Sequence, residues 1–205
     1  MKKLCAMLAI AGTMLFSPAF AADAPDASSS AVSQACEKFY NTTTAQAQDI
    51  IHNAKLDTKQ KQQELAKLFD KTVETDWIGK FVIGRFWNAA TDDQKKEYLK
   101  VYNAYLTQVY ISKFDDEDLS GVELKLAGMS KQRSGDVATK TLIKRPGQPD
   151  VHVDYTLSEA GNQCHVHDII IENVSLLSSQ RSEFQSLAGQ SGIGGVIEAL
   201  KKKIS

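Results

Sequence analysis

Residues 84–110 read GRFWNAATDDQKKEYLKVYNAYLTQVY, and this stretch decides how the first half of the chain folds. Within it, Thr91 and Gln94 have the spacing of a capping box, in which each side chain accepts a hydrogen bond from the other residue's backbone amide. The residues that follow at intervals of four are large and apolar: Tyr98, Tyr102, Leu106 and Tyr110. Because residues four apart share one side of a helix, we predict a long helix that walls either an ordinary core or an apolar cavity.

The N-terminus has the features of a cleaved secretory signal peptide. Lys2 and Lys3 precede an apolar run over 4–16, and the Ala-Phe-Ala at 19–21 is a small-x-small cleavage site. The run is too short to cross a bilayer, and no later segment is both long and apolar enough. We therefore expect residues 1–21 to be removed and the protein to be exported to the periplasm.

The charge of the chain argues against nucleic acid as a partner. The chain has 24 Lys and Arg against 25 Asp and Glu, whereas nucleic-acid binding favours a basic surface. Its length suits one domain with a sizeable core. We expect a flexible leader over 22–30, rich in Ala, Asp, Pro and Ser, followed by a single domain over 31–205.

Two cysteines follow the predicted cleavage site, Cys36 and Cys164. In an oxidising compartment they can form a disulfide that ties the first helix to the last strand. Two buried thiols fit the sequence equally well.

Helices are predicted throughout the first half of the chain. They span about 31–40, 43–54, 58–74, 76–87 and 91–114. The predicted N-caps are Asp57 or Thr58 for the third helix and Thr75 or Asp76 for the fourth. The acidic run 115–118 opposes the dipole of the last of these helices, and we predict a solvated turn there.

From Gly121 onward the apolar period changes to two, which indicates strands. The four predicted strands span about 122–126, 137–143, 151–157 and 164–172, and two short helices follow at about 179–188 and 193–203. The short turns between the strands imply hairpins. The predicted fold class is α+β: N-terminal helices packed on a curved four-stranded antiparallel sheet, with short C-terminal helices, around an apolar cavity. The sequence leaves open whether side chains or a guest molecule fill that cavity.

Five separated motifs follow one another along the chain. They are Gly84-Arg85-Phe86-Trp87 with Ala90-Thr91 and Gln94; the helix with Tyr98, Tyr102, Leu106 and Tyr110; residues 168–176 (DIIIENVSL); Arg181-Ser182-Glu183-Phe184; and Gly192-Ile193 with Ile197 and Leu200. In this order, behind a signal peptide, they resemble the MlaC family, also called the toluene-tolerance family, over about 31–200. The chain departs from the family pattern at Cys164, where a tryptophan is common, and at Asn173, where a glycine is usual. The resemblance therefore says nothing about a disulfide.

The resemblance implies a lipid carrier without a cofactor rather than an enzyme. Members of this family hold the acyl chains of a glycerophospholipid in an apolar cavity between helices and sheet. The implied partners are an inner-membrane ABC transporter complex and an outer-membrane lipoprotein–porin complex. A monomeric carrier would shuttle phospholipid between them and so maintain outer-membrane lipid asymmetry.

Candidate cavity-wall residues follow from their positions in this frame, although each would also fit a closed core. The candidate lipid-binding residues are Trp77, Phe81, Trp87, Tyr102, Tyr105, Val109, Leu142, Val153, Tyr155, Ile169, Ile171, Val174 and Phe184. Arg181 is the candidate contact for a head-group phosphate near the mouth.

Two alternatives to a phospholipid carrier stay open. The first is a small enzyme that uses Asp154, Asp168 or the histidines, since His152, His165 and His167 fall on two strands and three histidines can ligate zinc. The sequence has no Gly-x-Ser-x-Gly, His-Glu-x-x-His, Cys-x-x-Cys or phosphate-loop motif to support it. The second is a carrier of hopanoid or sterol-type lipids, because relatives of the family accompany such pathways.

Overall fold

The computed structural model describes residues 32–111, 119 and 121–205. The predicted signal peptide, the predicted leader over 22–30 and the acidic run 115–118 lie outside the described residues. No helix within the described ranges is long and apolar enough to cross a membrane.

The described residues form helices on one antiparallel sheet, which confirms the α+β class. The helices are α1 Gln34–His52, α2 Thr58–Thr72, α3 Thr75–Ile83, α4 Arg85–Ala89, α5 Asp92–Ile111 and α6 Leu176–Ile204. The strands are β1 Glu123–Lys131, β2 Val137–Lys144, β3 Val151–Ala160, β4 Gln163–Ile171 and β5 Val174–Ser175, in the spatial order β1-β2-β3-β4-β5.

The predicted count of four strands was wrong, because β5 adds a fifth. It pairs Ile171 with Val174 across a turn in which Glu172 and Asn173 have φ angles of 47° and 66°. Two successive positive φ angles are the signature of a tight hairpin turn. The Glu172 side chain accepts a hydrogen bond from the backbone N–H of His152 at 2.8 Å, which helps to hold this unusual conformation. A two-residue strand is too short to show alternation in the sequence.

Helix boundaries differ from the prediction at three places. The predicted break after Tyr40 was wrong, since α1 continues through the threonines that follow it. The predicted helix 76–87 divides at Gly84, whose φ of 56° favours glycine. Helix α6 begins at Leu176, earlier than the predicted 179, and the predicted division into two helices is present as a non-helical break at Gly192, where φ is 65°.

The predicted caps of α5 and α2 are present in the structure. Thr91 N–H donates to Gln94 Oε1 at 3.1 Å, and Gln94 N–H donates to Thr91 Oγ1 at 3.2 Å. Asp57 forms the corresponding box at the start of α2. The predicted cap of α3 at Thr75 or Asp76 was wrong, because that helix begins one residue earlier and has no side-chain cap.

The tyrosine side of α5 packs into the main core against α3 and α6. Tyr98 and Tyr102 are fully buried, and their hydroxyls donate to the carbonyl oxygen of Gly79 at 2.9 Å and to Gln180 Oε1 at 2.5 Å. A Cβ at Gly79 would lie 2.9 Å from the Tyr102 ring, so this close approach of α3 to α5 requires glycine. The aromatic helix therefore belongs to the core.

Cys36 and Cys164 form a disulfide between α1 and β4. The sulfur atoms are 2.04 Å apart, and both residues are buried. The bond closes a loop with a sequence separation of 128, so it fixes α1 on the sheet although the two elements are far apart in the chain.

We expect replacement of Cys36 and Cys164 together by serine to lower the free energy of unfolding by about 2–4 kcal/mol, because the unfolded chain gains conformational freedom. Urea denaturation of the oxidised wild type and of the double variant measures the difference. Reductant should shift the wild-type midpoint and leave that of the variant unchanged. A reductant-insensitive wild type would contradict the disulfide.

Candidate functional site

An apolar cavity of about 260 Å³ lies between the helices α1 and α2 and one face of the sheet. Each element contributes residues with the period of its secondary structure. The lining residues are Phe39, Tyr40, Thr43, Thr44 and Ala47 of α1; Leu65, Leu68, Phe69 and Thr72 of α2, with Val73; and Leu124, Thr141, Ile143, Val153, Tyr155, Leu157, Val166, Ile169 and Ile171 of the sheet.

The sheet wall results from strand pairing that brings apolar residues side by side. Tyr155 pairs with Ile169, and Val153 pairs with Ile171. A β-bulge between Thr156 and Leu157 leaves one extra residue on β4, so that both Val166 and Ile169 reach the cavity. Without this bulge, alternation would place two residues three apart on opposite faces.

The described lining residues carry hydroxyl groups but no charge. The hydroxyls of Tyr40 and Thr141 lie 2.6 Å apart and satisfy each other. Burial raises the pKa of the Tyr155 phenol above its ordinary value, so this group stays neutral at physiological pH. An uncharged wall whose hydrogen bonds are partly made internally suits an apolar guest.

The family model of the MlaC protein matches residues 41–202. This chain belongs to the MlaC family. A solved structure with a similar fold is that of the phospholipid-binding protein from Ralstonia solanacearum in complex with a phospholipid. The two chains are 18% identical, with a TM-score of 0.61 over 83% of this chain and 92% of the other. At this identity the likeness shows a shared fold.

Four of the predicted wall residues lie on the cavity: Val153, Tyr155, Ile169 and Ile171. All four belong to β3 and β4. The alternation of these strands was readable in the sequence, and the structure places their apolar face toward α1 and α2.

The aromatic candidates of α5 and α6 lie in the closed core of this MlaC-family chain. The Tyr102 and Tyr105 rings pack edge-on against Phe184, with centroids 6.1 and 5.7 Å away. Val109 packs against the same core. Of the two alternatives left open for α5, core helix or cavity wall, the structure has the core, because α6 packs against α5 and these residues do not line the cavity.

The remaining wall candidates lie outside the cavity as well. Thr141 and Ile143 line it, so strand alternation turns Leu142 to the other face of the sheet. Val174 is 55% exposed on the short strand β5. The partly buried Trp87 ring packs against Tyr98 at the edge of the core, 6.4 Å between centroids.

Trp77, Phe81 and Arg181 lie on the surface of α3 and α6. Trp77 and Phe81 are 36% and 37% exposed. Arg181 contacts the Phe81 ring and donates to the Phe81 carbonyl oxygen at 3.1 Å, away from the cavity lining. The predicted head-group contact is therefore not at the wall of this cavity.

The helix wall of the site was not among the residues predicted from the sequence. The α1 residues Phe39, Thr43 and Ala47 recur every four positions, and Leu65 and Phe69 of α2 do the same. This spacing was a usable signal of an inward side. The signal is weak in α1, because the lining residues of this helix other than Phe39 and Tyr40 are two threonines and an alanine.

The residues of the enzyme alternative are not brought together. His167 Nε2 lies 2.5 Å from Glu74 Oε2, and His165 lies near Phe39. His152 is exposed near the start of β3, whereas His165 pairs with Ser158 near the other end of that strand. Asp168 accepts from Ser175 Oγ at 2.6 Å and from a backbone N–H of α6 at 3.0 Å, which is a structural role. In the described part of the chain, no group of three or more His, Cys, Asp or Glu side chains is arranged to hold a metal ion.

We expect the buried phenols of Tyr98 and Tyr155 to ionise only when the protein unfolds, because burial raises the pKa of both. Their contribution to stability is full below the unfolded tyrosine pKa of about 10 and is lost as pH rises above it. Each phenol should steepen the fall of the unfolding free energy with pH by up to about 1.4 kcal/mol per pH unit. Denaturation midpoints measured from pH 9 upward (roughly one unit below that pKa) provide the check. Tyr155→Phe should flatten the curve, and an unchanged slope would contradict the burial of this phenol.

Proposed function

We propose that this protein is a periplasmic phospholipid carrier whose cavity between α1, α2 and the sheet holds acyl chain. The observation that supports this proposal most directly is an uncharged, largely apolar cavity in a chain that belongs to the MlaC family. The Ralstonia solanacearum protein with a similar fold binds a phospholipid, which supports the same ligand class here.

The energetics explain why such a cavity is needed. Each methylene exposed to water costs about 0.8 kcal/mol, so a two-chain lipid in transit costs on the order of 20 kcal/mol unless it is shielded. The lining offers dispersion contacts from Leu65, Phe69 and the isoleucines of β4, and it offers no ion pair. Binding of this kind depends on apolar area, so the carrier can release its cargo without breaking a strong polar bond.

The proposed physiological role follows the family. The N-terminal 21 residues act as a signal peptide, and the single domain that follows shuttles glycerophospholipid between an inner-membrane ABC transporter complex and an outer-membrane lipoprotein–porin complex. This exchange maintains outer-membrane lipid asymmetry.

The test is native mass spectrometry of the exported protein together with lipid extraction from the same sample. We expect an adduct of phospholipid mass on the wild type. Val153→Asp should lose that adduct, because a carboxylate would face the acyl chain. The matched control is Leu142→Asp, which adds the same charge on the other face of the neighbouring strand and should keep the adduct.

A second variant separates loss of binding from loss of folding. Ala47→Phe adds apolar volume to the cavity and no charge, so it should fold and lose most of its cargo. Retention of the full adduct by folded Val153→Asp and Ala47→Phe would contradict the cavity as the site. Extraction of a sterol-like lipid in place of phospholipid would contradict the proposed cargo.

A further inference from the structure

Four side chains form a continuous stack on the surface of α6, α3 and β4, which we name the aromatic ladder. Its members are Arg181, Phe81, Trp77 and His167. The Arg181 guanidinium lies 4.2 Å from the Phe81 ring centroid, Phe81 lies 5.1 Å from Trp77, and Trp77 lies 3.9 Å from His167. Both ring pairs are nearly parallel, at 14° and 8°. The stack joins three elements into one rigid surface.

The ladder is exposed although its rings are large and apolar. Trp77 and Phe81 each leave more than a third of the residue's surface in contact with solvent. Neither ring lines the cavity. Contiguous exposed aromatic residues mark a surface that contacts a membrane or another molecule. Trp in particular is favoured where an apolar phase meets water.

Two cations lie at or beside the ladder, Arg181 and Lys80. Arg181 has no carboxylate partner in the described ranges, and its bond to the Phe81 carbonyl together with the ring beneath it fixes its direction. Each of the three carboxylates next to the ladder in the chain has a hydrogen-bond partner within the protein. Glu74 contacts His167, Asp76 accepts from Asn103 at 2.8 Å, and Asp168 caps α6. Lys80 of α3 adds a second cation, 5.6 Å from the Trp87 ring centroid.

We propose that the aromatic ladder docks this protein on the surface of an anionic phospholipid bilayer. The rings of Trp77 and Phe81 enter the interfacial region, and the guanidinium of Arg181 binds a lipid phosphate, for which its planar fork is well suited. The ladder ends at His167, directly after Val166 of the cavity wall. Docking therefore brings the β4 side of the cavity close to the bilayer. The inference concerns contact with the bilayer and does not require that the cavity hold a phospholipid.

The test is flotation of the full chain with phosphatidylglycerol vesicles and, separately, with phosphatidylcholine vesicles. The wild type should associate with the anionic vesicles, and added salt should weaken the association. Arg181→Gln should weaken partition about fivefold, the effect expected for one cation at an anionic surface. The double variant Trp77→Ala, Phe81→Ala should weaken it by more than about tenfold.

Matched control variants test whether weaker vesicle binding is specific to the ladder or follows from any loss of a positive charge or of exposed apolar surface. Arg133→Gln removes the same charge from the β1–β2 turn, and Leu126→Ser removes an apolar residue that is 42% exposed on β1, at the opposite edge of the sheet from β4. Both should partition like the wild type. In a Trp87→Phe background, Trp77 is the single tryptophan, and its emission should shift to the blue on anionic vesicles.

Two results would overturn the proposal: no vesicle association of the wild type, or equal partition of the ladder variants and their controls. Measuring the bound lipid of every variant by mass separates this proposal from the carrier function. Ladder variants should keep their cargo, whereas Val153→Asp should lose cargo and still bind vesicles.

Discussion

The site depends on helix α1 being held across the sheet at separate points along its length. Near its start, the Cys36–Cys164 disulfide fixes it to β4. One turn later the Tyr40 hydroxyl contacts Thr141 of β2, and at its last residue the His52 ring bonds to the carbonyl oxygen of Val122, just before β1. Because these contacts fix the distance between α1 and the sheet, close packing of apolar side chains does not have to fill the space between them. The cavity is the consequence of that spacing.

The aromatic residues are divided between two tasks on the two sides of the helical layer. The rings of α5 and α6 fill the main core, where Tyr98, Tyr102 and Phe184 are fully buried. This core and the cavity wall share the sheet residues Leu157 and Val166, so the two are contiguous. Trp77 and Phe81 are left on the outer surface of α3. The same residue class therefore stabilises the fold in one place and remains available for contact in another.

Local signals in the sequence predicted local structure, and long-range contacts decided the rest. The Thr91–Gln94 cap depends on residues three apart, so the start of α5 could be predicted. The turn before β5 could not, because Glu172 needs the backbone of His152, twenty positions away, to hold a positive φ. For the site, strand alternation identified the sheet wall. Spacing alone showed that α5 has an apolar side, but not that Phe184 would meet it.

The most direct measurement of the central claim is the location of a bound acyl chain inside the protein. A phosphatidylglycerol with a nitroxide on its acyl chain, bound to methyl-labelled protein, broadens the NMR signals of nearby methyl groups. The cavity predicts stronger broadening at Leu65, Ile169 and Ile171 than at Leu200 of the closed core. Broadening of the core methyls with unaffected cavity methyls would contradict the account.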